Sequence, residues 1–204
     1  MNEKERLRQL IVDKAGEFFF KYGFVATTTQ QIAVELGISK KTIYRLFPSK
    51  ENILAAIMER QDRDMEERLR KLTGDSDLDF FAKLKGITEA MAISHQEWSP
   101  LFIRDLQKMN LKEYKSCQKA QQQFLLHIEA LLQEGVRKGI YRSDLNIPIV
   151  MLIANAVQEK LEFETLANLQ LSLLGTVEAI IRIINEGILS ETVRENYFST
   201  IIKG

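Results

Sequence analysis

Residues 40–47 read Lys-Lys-Thr-Ile-Tyr-Arg-Leu-Phe, and those that are not apolar share one chemistry. Lys40, Lys41 and Arg45 are cations that donate hydrogen bonds to phosphate oxygens or to guanine O6 and N7. Thr42 adds a hydroxyl and a methyl that fits thymine, and Tyr44 adds a phenol for a phosphate. On any short helix such side chains are ordinarily a solvated face and nothing more, so the elements that would position them must decide.

Those elements are local and well marked. Thr28 followed three residues later by Gln31 is a capping box that starts a helix running to Leu36. Gly37-Ile38-Ser39 is a tight turn, with glycine available for positive φ and Ser39 free to cap the next helix. That helix, Lys40 to Phe47, is stopped by Pro48, because a residue before proline is pushed out of helical geometry. Two short helices joined by a glycine-containing turn make a helix-turn-helix. Ile32, Ala33, Leu36, Ile38, Ile43, Leu46 and Phe47 would pack this pair against a first helix, Glu3 to Tyr22. Leu7, Ile11, Ala15, Phe18 and Tyr22 recur on that helix as one apolar stripe, and Gly23 is placed to end it in a left-handed cap.

Downstream, Ser49 caps a long fourth helix from Lys50 to about Leu72, which would lead from the head of the molecule into its body. Helical patterns follow at 78–96, 100–109, 111–138, 147–167 and 171–188, and a short one around 191–202. Three prolines, ten glycines and no sustained period-two alternation in 204 residues point to an all-α chain. The formal net charge is zero, but residues 1–50 hold nine Lys/Arg against five acidic residues, a net of +4, and the remainder carries −4. A basic head on an acidic body orients a protein toward phosphate.

Other chemistries find little support. The charged start, Met1 to Arg8, is unlike a secretory signal, and the most apolar segment, Ile147 to Val157, is too short to span a bilayer. Cys117 is the lone cysteine, and His95 and His127 lack the neighbours of a metal site. A Ser/His/Asp set, a phosphate-cradling glycine loop and a tight carboxylate cluster are all missing from the sequence, so neither enzyme, cofactor nor metal is expected. A cytoplasmic location fits.

The run Thr27-Thr28-x-x-x-Ile32-Ala33-x-x-x-Gly37-Ile38-Ser39-x-x-Thr42-Ile43-Tyr44-x-x-Phe47-x-Ser49-Lys50-Glu51-x-x-Leu54 resembles the TetR-family DNA-binding signature. The resemblance covers residues 5–60 closely. Glu134-Gly135-x-x-x-Gly139-x-Tyr141-Arg142-x-Asp144 is similar, more weakly, to the turn these regulators place before their last large helices. The resemblance implies a three-helix helix-turn-helix domain over residues 1–48 and a helical effector-binding and dimerisation domain over 49–204. It assigns Thr28 and Thr29, at the start of the second helix, to phosphate contact. It gives Lys40, Lys41, Thr42 and Arg45 the base-reading face, and makes Tyr44 and Lys50 backbone clamps. Leu46 departs from the His or Tyr usual in the family, which puts that backbone contact in doubt.

A monomer reads one half-site, so a second copy is expected. Over 171–188, Leu173, Val177, Ile180 and Ile184, with Leu174, Ile181 and Ile188 beside them, form two adjacent stripes too wide for one neighbour to cover. By resemblance, the helices near 147–167 and 171–188 build a four-helix bundle with their copies; the plain alternative is that both line the core of one chain. The family also implies a pocket for a small effector, with candidate lining at Trp98, Phe102, Phe124, Asn155, Gln158 and Phe163, whose largely apolar walls would favour an apolar ligand. Aromatics at helical spacing are equally the makings of a core. The reading that follows is a ligand-responsive repressor binding a palindromic operator as a homodimer. The alternative is a TetR-like adaptor that acts by binding another protein; it calls for an eroded recognition face, whereas three cations and a threonine stand here.

Overall fold

The computed structural model describes residues 2–95, 98–109, 115–160, 166, 169–171, 173–191 and 193–194. They form helices α1 (Glu3–Tyr22), α2 (Thr29–Glu35), α3 (Lys40–Leu46), α4 (Lys50–Gly74), α5 (Phe80–His95), α6 (Pro100–Lys108), α7 (Lys115–Arg137), α8 (Ile147–Lys160) and α9 (Leu173–Ile188). The all-α expectation holds among these residues, where the one extended pairing is an isolated bridge between Tyr141 and Leu189. The expected helical stretches at 111–114 and 161–165, and most of that at 191–202, lie outside the described residues.

The chain divides into two compact units. The first comprises residues 1–67 and 93–121; the second comprises 68–92 and 122–204. In the first, Ile11, Ala15, Phe19, Ile32, Ile43, Phe47 and Ile57 meet in one core with Phe102 of α6. Ile32, Ala33, Ile43, Leu46 and Phe47 are buried as expected, and Leu36 and Ile38 pack on the rim.

The apolar stripe of α1 is rotated from its expected course. Its buried residues are Ile11, Val12, Ala15, Gly16, Phe19 and Phe20, whereas Phe18 is half-buried and Tyr22 exposed. Phe18 and Tyr22 instead lean on each other, ring centroids 5.7 Å apart. Neighbours on two sides of α1 account for this, because a helix packed against both α2 and α6 buries a broader arc than one stripe. Gly23 also departs from the expected left-handed cap. Its φ is +87° but its ψ is 156°, so the chain leaves α1 extended rather than coiled. A Cβ there would meet the Asp105 carboxylate at 2.8 Å.

The second unit is organised around Tyr141, which is fully buried and edge-on to Phe80 at 5.2 Å. Gly135 lies against that tyrosine so closely that a Cβ would overlap the ring, and Gly139 turns the chain at φ +67°. The Arg142 N–H donates to the Ile188 carbonyl at 3.0 Å, and the Ser190 N–H donates to Ile140 at 2.8 Å. The Glu-Gly…Gly-x-Tyr sequence is thus a turn tied to the end of α9.

Candidate nucleic-acid interface

Helices α2 and α3 are seven residues each, too short to be stable alone, so their ends must be held. The capping box at Thr28 is complete: its hydroxyl accepts from the Gln31 N–H, and the Gln31 side chain accepts from the Thr28 N–H. At the other end of α2, Gly37 sits at φ +64°. The Ile38 N–H donates to Ala33 at 3.0 Å and the Gly37 N–H donates to Val34 at 3.1 Å, which is a Schellman closure. Ser39 then caps α3 by accepting from the Thr42 N–H at 3.0 Å. The last turn of α3 is held from a distance, by the Arg8 guanidinium of α1. It donates to the Leu46 carbonyl at 2.9 Å and lies 4.1 Å over the Phe47 ring.

With both ends fixed, α3 buries Ile43 and Leu46 and turns Lys40, Lys41, Tyr44 and Arg45 to solvent, with Thr42 half-buried at the edge. The Lys40 ammonium stands 5.7 Å over the Tyr44 ring. The structure therefore brings the expected cations and hydroxyls onto one outward face, with Thr28 exposed at the start of α2.

Two of the expected contact residues are engaged within the chain. Thr29 is buried, at 5% exposure, and its hydroxyl is within hydrogen-bond distance of the Tyr44 hydroxyl, 3.3 Å. It braces Tyr44 from behind and has little surface to offer a duplex. Lys50 is half-buried. Its ammonium donates to the Phe24 carbonyl at 2.8 Å and to Thr27 at 2.9 Å, while standing 4.2 Å over the Phe24 ring. Burial lowers its pKa, and the charges of Glu51 and Asp105 act in the opposite direction. Its first task is to fasten the α1–α2 loop.

Sequence reasoning missed Arg8, Asp105 and this role of Lys50. Asp105 is 3% exposed, and its Oδ2 accepts from the Val25 N–H at 2.8 Å. Each of these bonds joins residues at least 23 positions apart, and the sequence carries no sign of such pairings.

The residues expected to line an effector pocket fall in both units. Trp98 and Phe102 belong to the first unit, where their rings stack edge-on at 5.2 Å and Phe102 packs on Phe20 at 5.1 Å. Phe102 is fully buried there, as a core residue is. Phe124 and Asn155 belong to the second unit and are both half-buried. Phe163 and the side chain of Gln158 lie outside the described residues. The second unit does carry a groove of about 300 Å³ between α8 and α9, lined by Ile149, Val150, Ile153, Ile183, Ile184 and Ile188 among others; Phe124 and Asn155 are not among its lining residues. Among the described residues there is no His/Cys/Asp/Glu group able to hold a metal ion, and no helix long and apolar enough to cross a membrane.

Comparison with known proteins places this geometry. The family model for bacterial regulatory proteins of the tetR family matches residues 11–57, which span the helix-turn-helix and its supports. The chain is also 30% identical over 150 residues to the uncharacterized HTH-type transcriptional regulator YuxN of Bacillus subtilis, covering 71% of this chain and 50% of that protein. Residues 11–57 therefore carry the helix-turn-helix of that family. A TetR-family regulator from Marinobacter aquaeolei shares the fold at a TM-score of 0.72, with 18% identity over 100% of this chain and 98% of that one. The fatty acid metabolism regulator protein of Bacillus subtilis is 21% identical over 202 residues, 92% of this chain and 98% of that protein. The chain spans about half or less of the length of the first curated relatives it matches. The chain thus has an N-terminal helix-turn-helix followed by helices α4 to α9 among the described residues.

Proposed function

We propose that this chain is a homodimeric repressor that grips a palindromic operator with the α3 of each copy and lets go when a small apolar effector binds. In this reading residues 1–48 bind DNA and residues 49–204 bind effector and partner. The observation that carries it is the outward face of α3, where Lys40, Lys41, Tyr44 and Arg45 are exposed on a helix whose opposite side is locked into the core. Cations there serve phosphates and guanine edges, and Thr42 at the rim serves thymine. Two copies would present their recognition helices to successive major grooves, ~34–36 Å apart.

Dimerisation is supported by apolar residues left outside. Leu152 is 67% exposed on α8 and Ile183 is 66% exposed on α9, with Ile149 and Ile153 beside Leu152. An apolar patch of this kind on a soluble chain is ordinarily covered by a partner. For the effector, Asn155 of α8 carries a buried Oδ1 with no hydrogen-bond partner among the described residues, a polar handle of the kind ligand sites use. The name of the fatty acid metabolism regulator, 21% identical to this chain, is in keeping with an apolar effector.

The deciding experiment replaces Lys40, Lys41 and Arg45 together by Ala. Gel-shift titration on a duplex enriched by the wild-type protein from a random pool should show specific binding abolished, with the dimer intact by sedimentation. Retained affinity would remove α3 from the interface.

A further inference from the structure

The six residues that lead from α1 into α2 have their main-chain groups satisfied by side chains as much as by backbone. The Gly23 N–H donates to Phe19, and the Gly23 carbonyl accepts from the Thr27 hydroxyl at 2.8 Å. The carbonyls of Phe24 and Thr27 accept from Lys50, and the Thr28 N–H donates to the Gln31 side chain. The Val25 N–H donates to Asp105. Of these holds, Asp105 is the one contributed by α6, and it is a nearly fully buried carboxylate. Its other oxygen is 3.3 Å from the half-exposed Arg104 guanidinium. Alongside it, the Ser99 N–H at the start of α6 donates to the Phe20 carbonyl at 2.8 Å.

A buried carboxylate is costly unless it is well bonded. This one accepts from its neighbour Arg104 on one oxygen and reaches out with the other to a backbone amide, in a loop whose side chain at that position, Val25, is 69% exposed. What it fixes is the segment three residues before Thr28, and with it the position and tilt of the α2 N-terminus.

We propose that Asp105 is a positioning residue for DNA recognition: by accepting from the Val25 N–H it anchors the α1–α2 loop to α6, and so sets where Thr28 and the α2–α3 pair meet a duplex. The inference rests on the reading that α2 and α3 face DNA. Asp105 itself touches no nucleic acid. A charge-assisted hydrogen bond to backbone is among the stronger neutral-to-ion contacts, and its loss lets the loop drift while the surrounding core persists.

The test uses the full chain as Asp105→Ala, Asp105→Leu and Asp105→Asn, titrated against the duplex enriched by wild type and against an unrelated duplex. Asp105→Leu keeps the volume filled if Asp105→Ala fails to fold; Asp105→Asn keeps an oxygen acceptor. Removing the acceptor should weaken specific binding roughly tenfold, leave affinity for the unrelated duplex unchanged, and leave the fold intact by circular dichroism. Asp105→Asn should recover most of the loss. Wild-type specific affinity in Asp105→Leu, or an Asn variant no better than Leu, overturns the proposal. If the wild-type protein enriches no duplex at all, it is the DNA-binding reading that fails.

Discussion

The α2–α3 pair and the α8–α9 pair are both helix pairs with a buried side and an outward side, yet they are finished differently. In α2–α3 the core takes Ile32, Ala33, Ile43 and Leu46, and the outward residues of α3 are charged or hydroxylic. In α8–α9 the outward residues include Ile149, Leu152, Ile153 and Ile183. The first pair is complete within one chain, and its free surface is ready for a polyanion. The second leaves apolar area in water at roughly 25 cal/mol per Å², a cost that a second copy would remove.

The strongest way to break this contrast is to charge the apolar side. Leu152→Glu combined with Ile183→Glu should raise the dimer dissociation constant more than about 100-fold, since unpaired carboxylates would be buried at the interface. Sedimentation velocity reads this directly. A dimer of unchanged strength would mean that the outward residues of α8 and α9 are not its contact.

A smaller effect separates the two turns that hold these pairs. Gly135→Ala should cost about 1–3 kcal/mol in thermal or denaturant unfolding, because its Cβ collides with Tyr141 and Phe80. Gly37→Ala should cost about 1–2 kcal/mol for a different reason: nothing crowds its Cβ, but φ is +64°. Asn should therefore be tolerated better than Ala at Gly37, and worse than Ala at Gly135. The same order at both positions would refute the distinction between crowding and backbone conformation.

The smallest effect concerns pH. Asp62 on α4 is half-buried, and its Oδ2 has no hydrogen-bond partner among the described residues. Burial, aided by the charge of Glu59, raises its pKa from 3.8 to about 6, with Arg63 pulling the other way. A carboxyl that ionises at higher pH in the folded state binds its proton more tightly there. Its contribution therefore favours folding below the unfolded pKa and turns against folding as pH rises through 4 to 6. Asp62→Asn should raise the melting temperature by a few degrees at pH 7–8 and by little at pH 4. An equal gain at both values would exclude ionisation as the cause.

Much of the first unit was legible because its signals are local. A capping box, a Schellman glycine and a serine cap each act within about five residues, so Thr28–Gln31, Gly37 and Ser39 could be read directly from their spacing. The second unit was legible in helix positions but less so in purpose. An aromatic residue announces apolar burial without saying which neighbour supplies it, and Trp98 and Phe102 turned out to be core partners of Phe20 in the first unit.

The sequence by itself determined that the chain is helical, where α2 and α3 begin and end, and which side chains α3 turns outward, because periodicity and capping depend on near neighbours. Tertiary structure alone decided that α1 buries Phe19 rather than Phe18, that Thr29 braces Tyr44, and that Arg8, Lys50 and Asp105 hold the helix-turn-helix from outside. Those contacts join residues 15 to 80 positions apart. Such partners are chosen when whole helices pack, and the spacing of residues along the chain holds no record of that choice.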